Sequence, residues 1–171
     1  PPLRGPRPPI WLAASGDAGV KRAARLADTW LINPHTTLPT LERQLPLSHA
    51  ERAAAGRPRA AEIPLLRECY VTDSRAAAFA EARPILEPKY KAYQRWEQDK
   101  ALPQGETWSD AFEELARDRF VIGDPVQVRE EIARYRERLG VTAMMFRLQW
   151  PGMDQGRVLG SFRLPGEQAA Q

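Results

Sequence analysis

The sequence predicts an α/β protein with a parallel sheet, and three observations carry that expectation. Short apolar runs recur along the chain, stretches of helical periodicity separate them, and turn-forming residues mark the junctions. Two strands joined through a helix run parallel, because the crossover returns the chain to the same end of the sheet. In such sheets ligands bind beyond the carboxyl ends of the strands, which fixes where functional residues should be sought.

The first unit is an apolar run from Ile10 to Ala14 that ends in Ser15-Gly16-Asp17-Ala18-Gly19. Val20, Ala23, Ala24 and Ala27 then recur on one helical face, and a second run from Asp28 to Asn33 is stopped by Pro34. Strand, helix and strand follow one another there. From His35 to about Ala61 the chain is rich in Pro and Ala, and a loop with one or two short helices is expected. The stretch EIPLLRECYVT reads as a third strand, followed by Asp73 or Ser74 as the N-cap of an Ala-rich helix reaching towards Arg83. Pro84 and Pro88 are expected to break or restart that helix. Tyr90, Tyr93 and Trp96 then fall on one side of a helix, either as a packing face or as a stack for substrate.

The last unit has the plainest signals. Asp124, Pro125 and Gln127 have the form of an N-cap, an N1 proline and a capping-box partner. Val128, Ile132, Tyr135 and Leu139 mark the helical face that follows, and Gly140 ends it. The strand VTAMMFRLQW comes next, with Met144, Phe146 and Leu148 on one face and Met145, Arg147 and Gln149 on the other.

Composition bounds the function. A chain of 171 residues suffices for one domain with its own core, spanning 1–171. It opens on Pro1 rather than Met, so an N-terminal portion that is processed or missing is expected. No run approaches the roughly 18 apolar residues of a membrane span, and no signal peptide is recognisable, so a soluble cytoplasmic protein is expected. The net charge of +3 is spread among nearly as many acidic as basic residues, with no basic block and no aromatic-basic interleaving. That pattern disfavours nucleic acid as a partner. Cys69 lies in an apolar run and reads as a buried inert thiol; no metal site is expected.

The turn from Ser15 to Gly19 stands at the functional edge. Its amides open a helix whose positive end favours an anion such as phosphate, Ser15 adds a hydroxyl, and Gly16 and Gly19 permit close approach. It lacks the G-x-G-x-x-G pattern of dinucleotide sites and the Lys-Ser/Thr ending of a P-loop. Asp17 either places a negative charge beside the anion or caps the helix.

Five segments taken in order resemble the C-terminal half of a luciferase-like flavin-dependent oxidoreductase: PPIWLAASGDAGVKRAARLADTW, RECYVTDSRAAA, YKAYQRWEQD, DRFVIGDPVQVREEI and GVTAMMFRLQWPGM. The resemblance implies a partial (β/α)8 TIM barrel whose four strands correspond to the fifth through eighth of the family. It implies a monooxygenase using reduced FMN, or a deazaflavin coenzyme, on a small organic substrate. Ser15, Gly16, Asp17, Ala18 and Gly19 would contribute to the cofactor phosphate site, and Asn33 would lie beside the flavin ring. His35 would contact substrate, unless it is a loop histidine without a role. Arg147 would hold the cofactor phosphate or an anionic substrate, or form a structural ion pair with Glu68. Gln149 and Trp150 would wall the pocket. Arg67 and Glu68 alternate along their strand, so one of the two points inward, and His49 is expected on the surface. A whole barrel needs about 250 residues, so the partner implied is the N-terminal half-barrel or a second copy of the chain. The family's general-base histidine belongs to the earlier strands, and no catalytic residue is assigned. The alternative is a non-catalytic accessory half-barrel that pairs with a partner.

Overall fold

The computed structural model describes residues 7–169. Its elements in order are β1 (Trp11–Ala14), α1 (Asp17–Leu26), β2 (Thr29–Ile32), α2 (Leu38–Ala54), β3 (Pro64–Val71) and α3 (Arg75–Arg95). A 3-10 turn at Gln98–Ala101 follows, then α4 (Phe112–Ala116), β4 (Phe120–Gly123), α5 (Pro125–Leu139), β5 (Ala143–Arg147) and α6 (Gln155–Ala169). Every strand pairing is parallel. The four strands expected from sequence lie side by side as β1, β2, β3 and β5.

The fifth strand, β4, has no counterpart in the sequence reading. Its four residues are uniformly buried, so they show no alternation to detect. Leu65 pairs with both Ile32 and Met144, and Glu68 pairs with both Phe120 and Arg147. A strand has two edges, so β5 occupies one edge of β3 while β2 and β4 share the other in tandem. Beyond Ile32 the chain leaves the sheet at Asn33-Pro34, and β4 takes the carboxyl part of the edge it vacates.

Odd and even residues of β3 face different layers. Leu65, Cys69 and Val71 join Trp30 and Ile32 of β2 against Leu41 and Leu45 of α2 and Tyr135 and Leu139 of α5. This is the outer face, and burial there pushes the Cys69 thiol up to about 12, an inert group as expected. Met144, Phe146 and Leu148 pack on this same core, as strand alternation requires. Glu68 and Tyr70 face the other layer, roofed at the carboxyl end of the sheet by α3 and α4. Towards the amino end that inner face is open, and Trp11 is 36% exposed there.

Two helices differ from expectation for one physical reason. In place of a loop with short helices, residues 38–54 form a single helix, and α3 runs through Pro84 and Pro88 without a break. The buried residues of α3 are Ala78, Ala82, Leu86 and Tyr90, one ridge at four-residue spacing. Pro84 and Pro88 fall two residues off that ridge on the exposed side, and Pro46 of α2 is likewise exposed. A proline removes one backbone bond, but on a wet face water satisfies the freed carbonyl while the buried ridge keeps packing. The capping signals fared better. Ser74 accepts from Ala77 N, Asp124 and Gln127 form the reciprocal box, and Gly140 closes α5 at φ +66°.

Candidate functional site

The turn after β1 is assembled by α2. Gly16 is the N-cap of α1 in extended conformation, with no side-chain bond to cap the helix. Val20 is the first residue of α1 whose amide finds a backbone acceptor, Gly16 O at 3.0 Å. The amides of Asp17, Ala18 and Gly19 have none among the described residues. Asp17 does not cap the helix. Arg43 grips its carboxylate at 2.7 and 3.0 Å, and Gln44 adds a bond of 2.8 Å. The Arg43 bond, more than any other influence, holds the Asp17 carboxyl below its usual range. Gln44, fully buried, also donates to Ser15 O at 2.7 Å. Ser15 Oγ accepts from Asn33 Nδ2 at 2.5 Å, so the hydroxyl keeps its own proton to donate. A Cβ on Gly19 would stand 3.0 Å from Ala14 Cβ, and one on Gly16 would stand 3.1 Å from Ala101 O. Gly19 thus lets α1 lie close on β1, and Gly16 lets the 3-10 turn close over the loop.

Asn33 begins the loop that carries His35, and its Oδ1 accepts from the His35 amide at 3.2 Å. Two buried arginines fix that loop. Arg67, on the outer face, donates to Asn33 O at 2.9 Å, Thr36 O at 3.1 Å and the Tyr135 hydroxyl at 3.1 Å. Arg119 donates to His35 O at 2.9 Å and pairs with the buried Glu106 at 2.6 Å. The imidazole is set edge-on among Tyr90, Tyr93 and Trp108, with ring centroids 6.1, 5.7 and 5.3 Å away. Burial, reinforced by the positive charges of Arg147 and Lys89, lowers the His35 pKa to about 4, so the ring is neutral at pH 7. The Tyr90 hydroxyl and the Trp108 indole N–H are buried beside it without a partner among the described residues.

Glu68 is the inward residue of the Arg67-Glu68 pair and is fully buried. Its Oε1 accepts from Lys89 Nζ at 2.6 Å and from Arg147 at 2.9 Å, and its Oε2 accepts from Trp150 Nε1 at 2.6 Å. The pairing of Arg147 with Glu68 is therefore present. One carboxylate faces two cations, which leaves a local excess of one positive charge. Beside this cluster a cavity of about 790 Å³ opens between α3 and the loop after β5, and Arg147, Gln149 and Trp150 all line it.

Ser15 and Asn33 are thus in direct contact, His35 stands by its aromatic cage, and Arg147, Gln149 and Trp150 meet at one cavity. Among the described residues no hydrogen bond or ion pair joins Arg147 to the Ser15 turn. The strands β1 and β5 lie at opposite ends of the four-strand layer, three interstrand spacings apart, or roughly 14 Å along the sheet. His49, expected on the surface, is half-buried. The sequence reading overlooked Lys89, Trp108, Arg119 and Glu106. A charged pair inside the apolar run LLRECYV does signal that buried partners must exist, but nothing local names which residues supply them.

The chain matches the model of the luciferase-like monooxygenase family over residues 1–143. It is similar to the monooxygenase RslO1 from Streptomyces bottropensis at 21% identity and a TM-score of 0.72, covering 96% of this chain and 48% of that one. It is similar also to the oxygenating constituent of 3,6-diketocamphane monooxygenase from the CAM plasmid of Pseudomonas putida, solved in complex with FMN. The identity there is 16% and the TM-score 0.65, over 92% of this chain and 46% of that one. A third similar structure is the coenzyme F420-dependent tetrahydromethanopterin reductase from Methanopyrus kandleri, at 18% identity and a TM-score of 0.51, over 80% and 44%. The chain spans about half the length of these solved relatives. No curated protein sequence matches it. Among the described residues, no helix is long and apolar enough to cross a membrane. With the parallel α/β sheet they share, these matches place the chain in the luciferase-like monooxygenase family, whose members are FMN- or F420-dependent oxidoreductases.

Proposed function

We propose that this chain is the C-terminal half of a flavin-dependent monooxygenase, with β1, β2, β3 and β5 as the fifth through eighth strands of its barrel. The observation that carries the reading is the N-terminus of α1, where three unpaired amides and the Ser15 hydroxyl stand at the carboxyl edge of parallel strands. That donor set fits a phosphate. Asp17 does not oppose it, because Arg43 and Gln44 neutralise and turn aside its carboxylate. Ser15 to Gly19 would hold the phosphate of reduced FMN or of a deazaflavin coenzyme, and Asn33 would place the edge of the ring system. The bound cofactor supplies the electrons for oxygen or hydride chemistry.

The protein's own part is positioning and shielding. Neutral His35 offers one ring nitrogen as donor and the other as acceptor, and the unpaired Tyr90 and Trp108 donors lie beside it. These groups orient a small organic substrate, while the aromatic cage excludes water. The test is flavin titration of the 171-residue chain. Ser15→Ala should weaken FMN about ten- to a hundredfold, the loss of one hydrogen bond to a charged group. Gly16→Val should weaken it by pushing against Ala101 O. Riboflavin, lacking the phosphate, should bind less tightly than FMN and respond to neither change. Equal affinity for riboflavin and FMN would make the turn a helix end and nothing more.

A second reading, an accessory half-barrel that pairs with a partner subunit or another copy, is favoured by the open inner face. Trp11 is 36% exposed there, and β1 and β5 each pair on one side among the described residues. Self-association in light scattering together with no FMN binding would support it over the catalytic reading.

A further inference from the structure

We propose that the cavity between α3 and the loop after β5 binds a flat aromatic monocarboxylate, with Lys89 and Arg147 holding the carboxylate and Glu68 positioning both cations. The inference goes beyond the reading of this chain as the substrate-positioning half of an oxidoreductase: it concerns a cavity that His35, Tyr90 and Trp108 do not line, next to their cage through Tyr93, and it names the chemical class of its ligand. The cavity of about 790 Å³ has the size of a small-molecule site. Its walls are Tyr93 and Trp96 with Pro84 and Pro88 on the α3 side, and Trp150 and Pro151 on the other. Aromatic rings and prolines facing each other make a slot for a flat apolar body.

Charge selects the head group. Lys89 and Arg147 line the slot, and no Asp or Glu lines it among the described residues. Glu68 sits behind them, fully buried, and uses one oxygen for both. Arg147 gives Glu68 one of its five donors and Lys89 one of its three, and among the described residues the remainder have no side-chain or backbone acceptor, which leaves them for a second carboxylate. Two cations less one carboxylate leave a single positive charge, which one monoanion balances. Pro84 and Pro88, on the exposed side of α3, form one wall of the same slot. Lys89 also lies near the faces of Tyr90 and Tyr93, at 5.8 and 5.7 Å from their centroids, which holds its ammonium at the mouth of the cluster.

The experiment is isothermal titration calorimetry of the 171-residue chain with 2-naphthoate, 2-naphthamide and 2-naphthyl phosphate, alongside a separate FMN titration. Naphthoate should bind at least tenfold more tightly than the neutral amide and more tightly than the dianionic phosphate ester. Lys89→Met and Arg147→Gln should each weaken naphthoate about tenfold or more, and Lys89→Arg should retain it. Trp96 is two-thirds exposed, so Trp96→Ala leaves the fold intact and should weaken all three ligands through the lost wall. Naphthoate and FMN should bind together. The proposal is overturned if the acid and the amide bind alike, if neither binds, if Trp96→Ala has no effect, or if naphthoate and FMN exclude each other. Naphthoate binding without FMN binding would sink the flavin reading and leave this site standing, and FMN binding without naphthoate discrimination would do the reverse.

Discussion

The two places proposed to hold anions in this molecule are built in opposite ways. The turn after β1 offers backbone amides, available because a helix begins there, and its key residues lie within five consecutive positions. The cluster at the mouth of β3 and β5 offers side chains, with Glu68, Lys89, Arg147 and Trp150 converging from β3, α3, β5 and the loop beyond it. At the amide site the helix itself fixes the donors, while Arg43 and Gln44 of α2 hold the loop that leads into it. A side-chain site in a buried setting must balance its own charges, and Glu68 does so for two cations at once. The comparison teaches that one substitution should cost the fold less at the turn than at the mouth.

The largest effect is expected at Glu68. Replacing it by Ala leaves Lys89, Arg147 and the Trp150 indole without their shared acceptor, and urea denaturation should show a loss of about 3–5 kcal/mol. A loss no greater than that of Ser15→Ala would break the contrast between the two sites.

The next is the pH response of His35. Its folded pKa of about 4 lies below the unfolded value near 6.5. Between those values the unfolded chain binds a proton that the folded chain refuses, so stability is full above about pH 6.5 and falls as the pH drops towards 4. The contribution is on the order of 3 kcal/mol. His35→Gln should flatten the stability profile across that window, and an unchanged slope would show that the ring is not held neutral by the cage.

Gly19→Ala tests the turn through packing. The added methyl would stand 3.0 Å from Ala14 Cβ, and overpacking of that kind costs about 1–3 kcal/mol, measurable as a lowered thermal midpoint. Smallest is Asp124→Ala, which removes one side of the capping box of α5 and should cost about 1 kcal/mol by denaturant midpoint. Because it lies in neither site, it sets the scale for a purely local device. Flavin affinity should be unmoved by it.

Much of this was legible in the sequence wherever the controlling interactions are local. Ser74, Asp124, Gln127 and Gly140 cap their helices as read, and strand alternation correctly separated Met144 and Phe146 from Met145 and Arg147. The five resembling segments carried the family, and four strands were placed in the right order and direction. Pro46, Pro84 and Pro88 misled, because a proline's effect depends on whether its face is wet, and that is a tertiary fact.

By itself the sequence determined four of the five strands, the caps of α3 and α5 and that Ser15 to Gly19 would open a helix at the functional edge, because caps, turns and periodicity act within a few residues. Only the tertiary structure decided that Glu68 rather than Arg67 turns inward, that Lys89 joins Arg147 upon it, and that Arg119 and Arg67 hold the loop of His35. Those partners lie from 21 to 84 residues apart in the chain. A buried charge must find an opposite charge or a carbonyl, but which one it finds depends on how whole layers pack, and no local pattern records that.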